Sequence, residues 1–183
     1  VIVAIHQPNF CPWLPFFKKV EAADLFVILT HCQYTRDCYQ QRFNMAGKWY
    51  SMGVNHKFGE AIREKRYVNH QEDWAKIRRR VNKPVADDLT PYIRESLVDT
   101  NVSIIIHMMG LLGIRTPVVL DYPTALTGTE RLVDICRHFK ATRYLAGRSG
   151  AGYMDASQFV TAGIAVDYQQ VSPEDSKHVF EIL

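Results

Sequence analysis

No uninterrupted apolar run in the 183 residues reaches the roughly 18 that a membrane-spanning helix needs, so no span is expected. The four cysteines, Cys11, Cys32, Cys38 and Cys136, contain no C-x-x-C pair; neither a zinc site nor a disulfide framework is indicated, and free thiols in a reducing compartment are expected. His56, His70, His107, His138 and His178 lack H-E-x-x-H or H-x-x-x-H spacing, which removes the usual helical metal motif. The Walker ending GK[ST] and the G-x-G-x-x-G fingerprint are also missing, so no motif names a cofactor. An excess of one charge is absent too: 22 basic against 19 acidic residues leave a net charge of +3, far from a dedicated nucleic-acid binder. The amino terminus has no basic segment followed by an apolar stretch and a small-residue cleavage site, and a cytoplasmic protein is expected.

What the chain has is an alternation of short apolar runs and amphipathic stretches. Ile2–Ile5 is β-branched and apolar throughout, as a strand buried on both faces must be. Trp13, Phe16, Phe17 and Val20 then recur at helical spacing within 13–23, and a second solid apolar run follows at Leu25–Leu29. Strand, helix and strand in this order predict a β-α-β unit with parallel strands. From Gln33 to Lys57 polar, aromatic and turn-forming residues take over, with Gly47 marking a hairpin around 48–54. Residues 71–83 and 86–113 read as helices, Asp87 and Asn101 being interruptions or caps and Gly113 a stop. Strands at 116–121, 142–145 and 164–169 alternate with helices at 129–140 and 155–162. The expectation is one α/β domain over 1–183, its mainly parallel sheet flanked by helices, with an antiparallel ribbon and a helical insertion at about 71–113.

Open α/β sheets bind ligands outside the carboxyl ends of their strands. That makes His6, Gln7 and Asn9, at the exit of the first strand, the first candidate site; Pro8 stiffens their turn. A histidine there can act as acid, base or phosphate donor. The segment after the second strand adds His31, Gln33, Tyr34, Arg36, Asp37, Gln40 and Arg42, where arginine can grip a phosphate or carboxylate and tyrosine can stack on a ring. A loop after the fourth expected strand carries Gly147, Ser149, Gly150 and Gly152, open backbone that lets a ligand approach. Lys76, Arg78, Arg79, Arg80 and Lys83 form a basic cluster near Trp74 and Tyr67, an alternative surface for nucleic-acid phosphates and bases. Asp121 and Asp134 complete the acid-base candidates, and His107 reads as a core or interface histidine.

The run AIHQPNFCPWLPFFKKVEAADLFVIL resembles the opening signature of the WbqC-like family, and RLVDICRHFKATRYLAG with SGAGYMDASQFVTAGIAVDYQQ is similar to its closing motifs. The resemblance spans nearly the whole chain. It carries over His6, Gln7, Pro8, Asn9, Pro12, Trp13, Gln33, Arg42, Trp49, Asn101, Gly147, Ser149, Gly150, Tyr153 and Asp155 as motif residues. Thr30 and His31 stand where the family commonly has an acidic pair, and VSPEDSKHVFEIL replaces its usual His-Pro tail, as in a divergent, phage-type member. The strand, histidine turn and helix are similar to nucleotidyltransferase openings as well, but Trp13 occupies the region of their second histidine.

The resemblance implies a transferase of surface-polysaccharide biosynthesis, moving an amino-acyl or acyl group from an activated, phosphate-bearing small-molecule donor to an amino sugar or related acceptor. His6 and Gln33 are then the catalytic candidates. Gln7, Asn9, Trp13, Tyr34, Arg42, Gly147, Ser149, Gly150, Tyr153 and Asp155 are the substrate-binding candidates, and no residue is expected to hold a metal. Two alternatives stand beside it: a nucleic-acid-associated enzyme of phage DNA base modification, and a non-catalytic oligomeric module joined through the apolar helix at 102–112.

Overall fold

The computed structural model describes residues 1–55, 57–173 and 176–183; His56, noted above among the histidines, and Glu174 and Asp175 of the tail lie outside the described residues. Five strands form one fully parallel sheet: β1 (Ile2–His6), β2 (Leu25–Ile28), β5 (Val118–Leu120), β6 (Arg143–Ala146) and β7 (Ala165–Tyr168), in the order β5-β2-β1-β6-β7. From β1 the chain steps outward to β2 and β5, then crosses to the other side of β1 for β6 and β7. The order therefore reverses between β1 and β6, and a crevice opens there at the carboxyl ends.

Successive side chains on a strand face opposite ways, and here each face has its own core. Ala4, Phe26 and Ile28 pack with Phe16, Phe17 and Val20 of helix α1 (Leu14–Glu21) and with the helices inserted before β5. Val3, Ile5 and Val27 pack on the other side with Leu132, Ile135 and Cys136 of α5 (Gly128–His138) and Phe159 of α6 (Ala156–Thr161). Burial on both faces explains why these strands read as unbroken apolar runs.

The ribbon is a two-stranded antiparallel hairpin, β3 (Arg42–Met45) and β4 (Lys48–Ser51). It begins earlier than the expected 48–54 because Ala46 and Gly47, at φ +49° and +78°, turn the chain in the left-handed pair that suits a two-residue hairpin.

The expected helix at 71–83 is α2 (His70–Val81), ended by Asn82 at φ +49°. The expected long helix at 86–113 is instead divided into α3 (Pro84–Asp88) and α4 (Leu97–Leu111), with a single 3-10 turn and extended backbone between them. Pro91 disfavours helical backbone at the residue before it and withholds an N–H, and the Ser96 hydroxyl accepts from Asp99 N at 3.2 Å to start the new helix. Asn101 thus neither interrupts nor caps a helix. It lies wholly buried within α4.

Among the described residues, no helix is long and apolar enough to cross a membrane.

Candidate active site

The crevice between β1 and β6 is a cavity of about 360 Å³. His6 and Gln7 reach it from the exit of β1, Lys19 from α1, Arg131 from the first turn of α5, and Gly147, Ser149 and Tyr153 from the loop after β6.

His6 rests edge-on against Phe16, ring centroids 5.0 Å apart. Its Nδ1 lies 2.9 Å from the Gln7 carbonyl oxygen. A carbonyl only accepts, so Nδ1 carries the proton and Nε2 keeps a lone pair. Burial, then the charge of Lys19, push the His6 pKa down to about 4 despite the carbonyl bond. The ring is therefore neutral at pH 7.

Lys19 is 2% exposed, and its Nζ donates to the Ile5 carbonyl at 2.8 Å. Burial pushes its pKa down to about 7. A Cβ on Gly147 would come 4.0 Å from that nitrogen, so a glycine backbone rather than a side chain borders the amine.

Arg131 is also buried, and its Nη2 donates to the Asp121 carboxylate and, at 3.1 Å, to the Tyr122 carbonyl. Its Nε has no partner among the described residues.

Asp121, at the end of β5, additionally accepts from Thr30 N at 2.7 Å, Thr30 Oγ1 at 2.8 Å and His31 Nδ1 at 3.0 Å. Burial raises its pKa, but the bonds from His31, Thr30 and Arg131 outweigh it and hold the carboxyl below its ordinary range. Thr30 and His31 thus converge on a carboxylate at the end of the neighbouring strand.

A second cavity, of about 520 Å³, lies on the other side of the same loop. Asn9, Trp13, Tyr39, Phe43 and Trp49 line it, and His178 of the tail closes it by donating from Nε2 to the Cys11 carbonyl at 2.8 Å. It is larger, but its histidine is held neutral, with a pKa pushed down to about 4 mainly by burial, and both ring nitrogens are bonded. Lys177 and Glu181 also line it, but the two buried cations, Lys19 and Arg131, lie in the smaller crevice.

Of the sequence candidates, His6, Gln7, Gly147, Ser149 and Tyr153 meet at the crevice, whereas Asn9 and Trp13 face the aromatic cavity. Gln33 is exposed and bridges to Ala61; Tyr34 borders a separate depression with Arg36 and Asp37; Arg42 lies 4.4 Å over the Trp49 ring. Gly150 is buried against Met154 and Ala146, and Asp155 caps α6 by accepting from Ser157 N at 3.0 Å.

Beside the basic cluster, Trp74 and Tyr67 are each 1% exposed and bonded to Thr90 and Asn101, so these rings are core residues rather than stacking platforms. On the helix expected to form an oligomer face, Ile106 and Leu111 are exposed while Ile104, Ile105, Met108 and Met109 are buried.

Lys19 and Arg131 were missed among the sequence candidates, yet both carry a signal. Lys19 follows Phe16 by three residues, and Arg131 precedes Ile135 by four, so each occupies a core-facing helical position. A cation there must either be paired or be used.

The model of the WbqC-like protein family matches residues 7–180. The chain belongs to the WbqC-like protein family. A relative in Mycobacterium tuberculosis (strain ATCC 25618 / H37Rv), "Uncharacterized protein Rv1507c", is 30% identical over 190 aligned positions, covering 91% of this chain and 80% of that protein. No solved structure matches the chain at a significant level. The HQPNF segment after β1 is thus a loop with two sides, His6 and Gln7 lining the crevice and Asn9 to Trp13 the aromatic cavity. Asn101 fixes this loop from below: its Nδ2 donates to the carbonyls of Pro8 at 2.8 Å and Gln40 at 2.7 Å, and its Oδ1 accepts from Tyr67 at 2.7 Å.

Proposed function

We propose that this protein is a small-molecule group transferase that holds an anionic, phosphate-bearing donor in the crevice between β1 and β6. The observation that carries this reading is the pairing of two buried cationic side chains, Lys19 and Arg131, with a neutral histidine at the switch point of a parallel sheet. Arg131 and the protonated fraction of Lys19 attract the donor's negative charge. His6, presenting Nε2, takes the proton from an acceptor amine or hydroxyl as it attacks the transferred group. Ser149 and Tyr153 border the opening and orient the ligand.

The family resemblance points to an amino-acyl or acyl group as cargo and an amino sugar or related compound as acceptor, within cytoplasmic steps of surface-polysaccharide assembly. The aromatic cavity across the loop offers ring-sized space for a second substrate.

The anion half of this reading is tested by calorimetric titration with inorganic pyrophosphate. Saturable binding is expected, weakened at least about tenfold by Arg131→Met, the scale of one lost charge-assisted contact. Absence of saturable binding to the unmodified protein would remove the reading. The transfer half is tested by incubating the protein with activated acyl and amino-acyl donors and an amino sugar, and following the product by mass spectrometry; His6→Ala should abolish it.

A further inference from the structure

Lys19 is the unusual group of the crevice. Its amine is buried beside His6, donates one hydrogen to the Ile5 carbonyl, and faces the cavity past the glycine backbone of residue 147. Its pKa is lowered by burial, and no carboxylate among the described residues compensates it. A buried ammonium without a carboxylate is costly, whereas a buried neutral amine needs only the hydrogen bond it has. With one hydrogen committed to Ile5, the nitrogen lone pair of that neutral amine is left for bonding to a ligand. Desolvation beside another basic group is a recognised way of making lysine nucleophilic at neutral pH. Arg131, whose Nε has no partner among the described residues, supplies an anchor for negative charge in the same cavity.

We infer that the Lys19 amine condenses with the carbonyl carbon of a small aldehyde or ketone that carries a carboxylate or phosphate, forming an imine inside the crevice. The inference rests on the crevice being a small-molecule anion site, but not on group transfer. The Nζ lone pair forms the carbon–nitrogen bond while the carbonyl π pair moves to oxygen. His6 Nε2 takes a proton from the new ammonium and returns it to the oxygen. His6 Nε2 then takes the remaining N–H proton and passes it to this hydroxyl, which leaves as water while the freed nitrogen pair closes the C=N bond. Amine plus carbonyl compound thus give imine plus water, with no oxidant, reductant or other reactant.

Reductive trapping tests this directly. The protein is incubated at pH 7 with glyoxylate, a small anionic aldehyde, and cyanoborohydride, digested, and the carboxymethylated lysines are quantified by mass spectrometry. Lys19 is expected to be modified at least about tenfold faster than the exposed lysines, with a rate that rises through pH 7 and then levels off. Lys65, equally buried but bonded to Glu60, is the internal control and should stay unmodified. Inorganic phosphate should slow trapping at Lys19, and Arg131→Met should slow trapping by glyoxylate but not by uncharged propanal.

Trapping at Lys19 no faster than at exposed lysines overturns the inference, as does indifference to phosphate. These outcomes need no variant, so a poorly folded substitution cannot blur them. Pyrophosphate binding without trapping would overturn the imine alone and leave the anion site standing; loss of both would remove the two readings together.

Discussion

Two lysines are hidden from water to the same degree, Lys19 at 2% and Lys65 at 1% exposure, and their surroundings differ in kind. Lys65, beneath the helical segment, donates to the Glu60 carboxylate at 3.0 Å and to the Lys57 carbonyl at 2.8 Å. Lys19, beneath the sheet crevice, has the Ile5 carbonyl and an open cavity. Arg131 stands between the two cases, its charge balanced by Asp121 while its Nε has no partner among the described residues. A cation that is fully answered serves the fold. One left unanswered at a strand exit is where function is to be sought.

The largest way to break the contrast is Asp121→Ala, which would leave Arg131 as unanswered as Lys19. Removing one member of a buried pair costs about 3–5 kcal/mol, and denaturant unfolding should register that loss. The same carboxyl sets an acid limit. Its folded pKa lies below the unfolded value of about 3.9, so its contribution is complete above that value and is lost as pH falls through the lower folded one. Acid unfolding should accordingly begin at higher pH in Asp121→Asn.

Lys19→Met should act in the opposite direction. The folded amine titrates near 7 against 10.5 for a free lysine, so burial costs stability at neutral pH and below, a cost that fades as pH rises toward 10.5. The variant should be more stable at pH 7 by roughly 1–4 kcal/mol, the gap closing by about pH 10. Equal or lower stability at pH 7 would show that the amine is answered by something other than Ile5.

Glu60→Gln converts Lys65 toward the state of Lys19. A fall in melting temperature smaller than that of Asp121→Ala is expected, together with new glyoxylate trapping at Lys65. The smallest effect calibrates the others away from both lysines: Ala46→Gly relieves a left-handed backbone in the hairpin turn and should raise stability by about 0.5–1 kcal/mol.

The central strands β1 and β2 were legible because each is buried on both faces and so cannot alternate polar with apolar residues, whereas the edge strand β7 does alternate exposed and half-buried residues. The segment at 86–113 was not, since its apolar content suits a helix throughout while Pro91 and the Ser96 cap divide it. The candidate site was legible in part. His6, Gln7 and Gly147 stand at strand exits, and a strand exit can be read from the end of an apolar run. Gln33 and Asn9 follow the same logic locally, but the chain turns them elsewhere, Gln33 to a bridge with Ala61 and Asn9 to the aromatic cavity.

By itself the sequence determined the alternation of strand and helix, the class of sheet and the membership of a family, because periodicity and motif are properties of residues near one another in the chain. Only the tertiary structure decided the strand order that opens a crevice between β1 and β6, and with it the meeting of residues 6, 19, 131 and 147. It also divided the HQPNF loop between two cavities and, among the described residues, gave Lys65 a carboxylate but Lys19 only a backbone carbonyl. Partners separated by a hundred residues are chosen by packing, and whether a buried charge is answered depends on which partner packing brings to it.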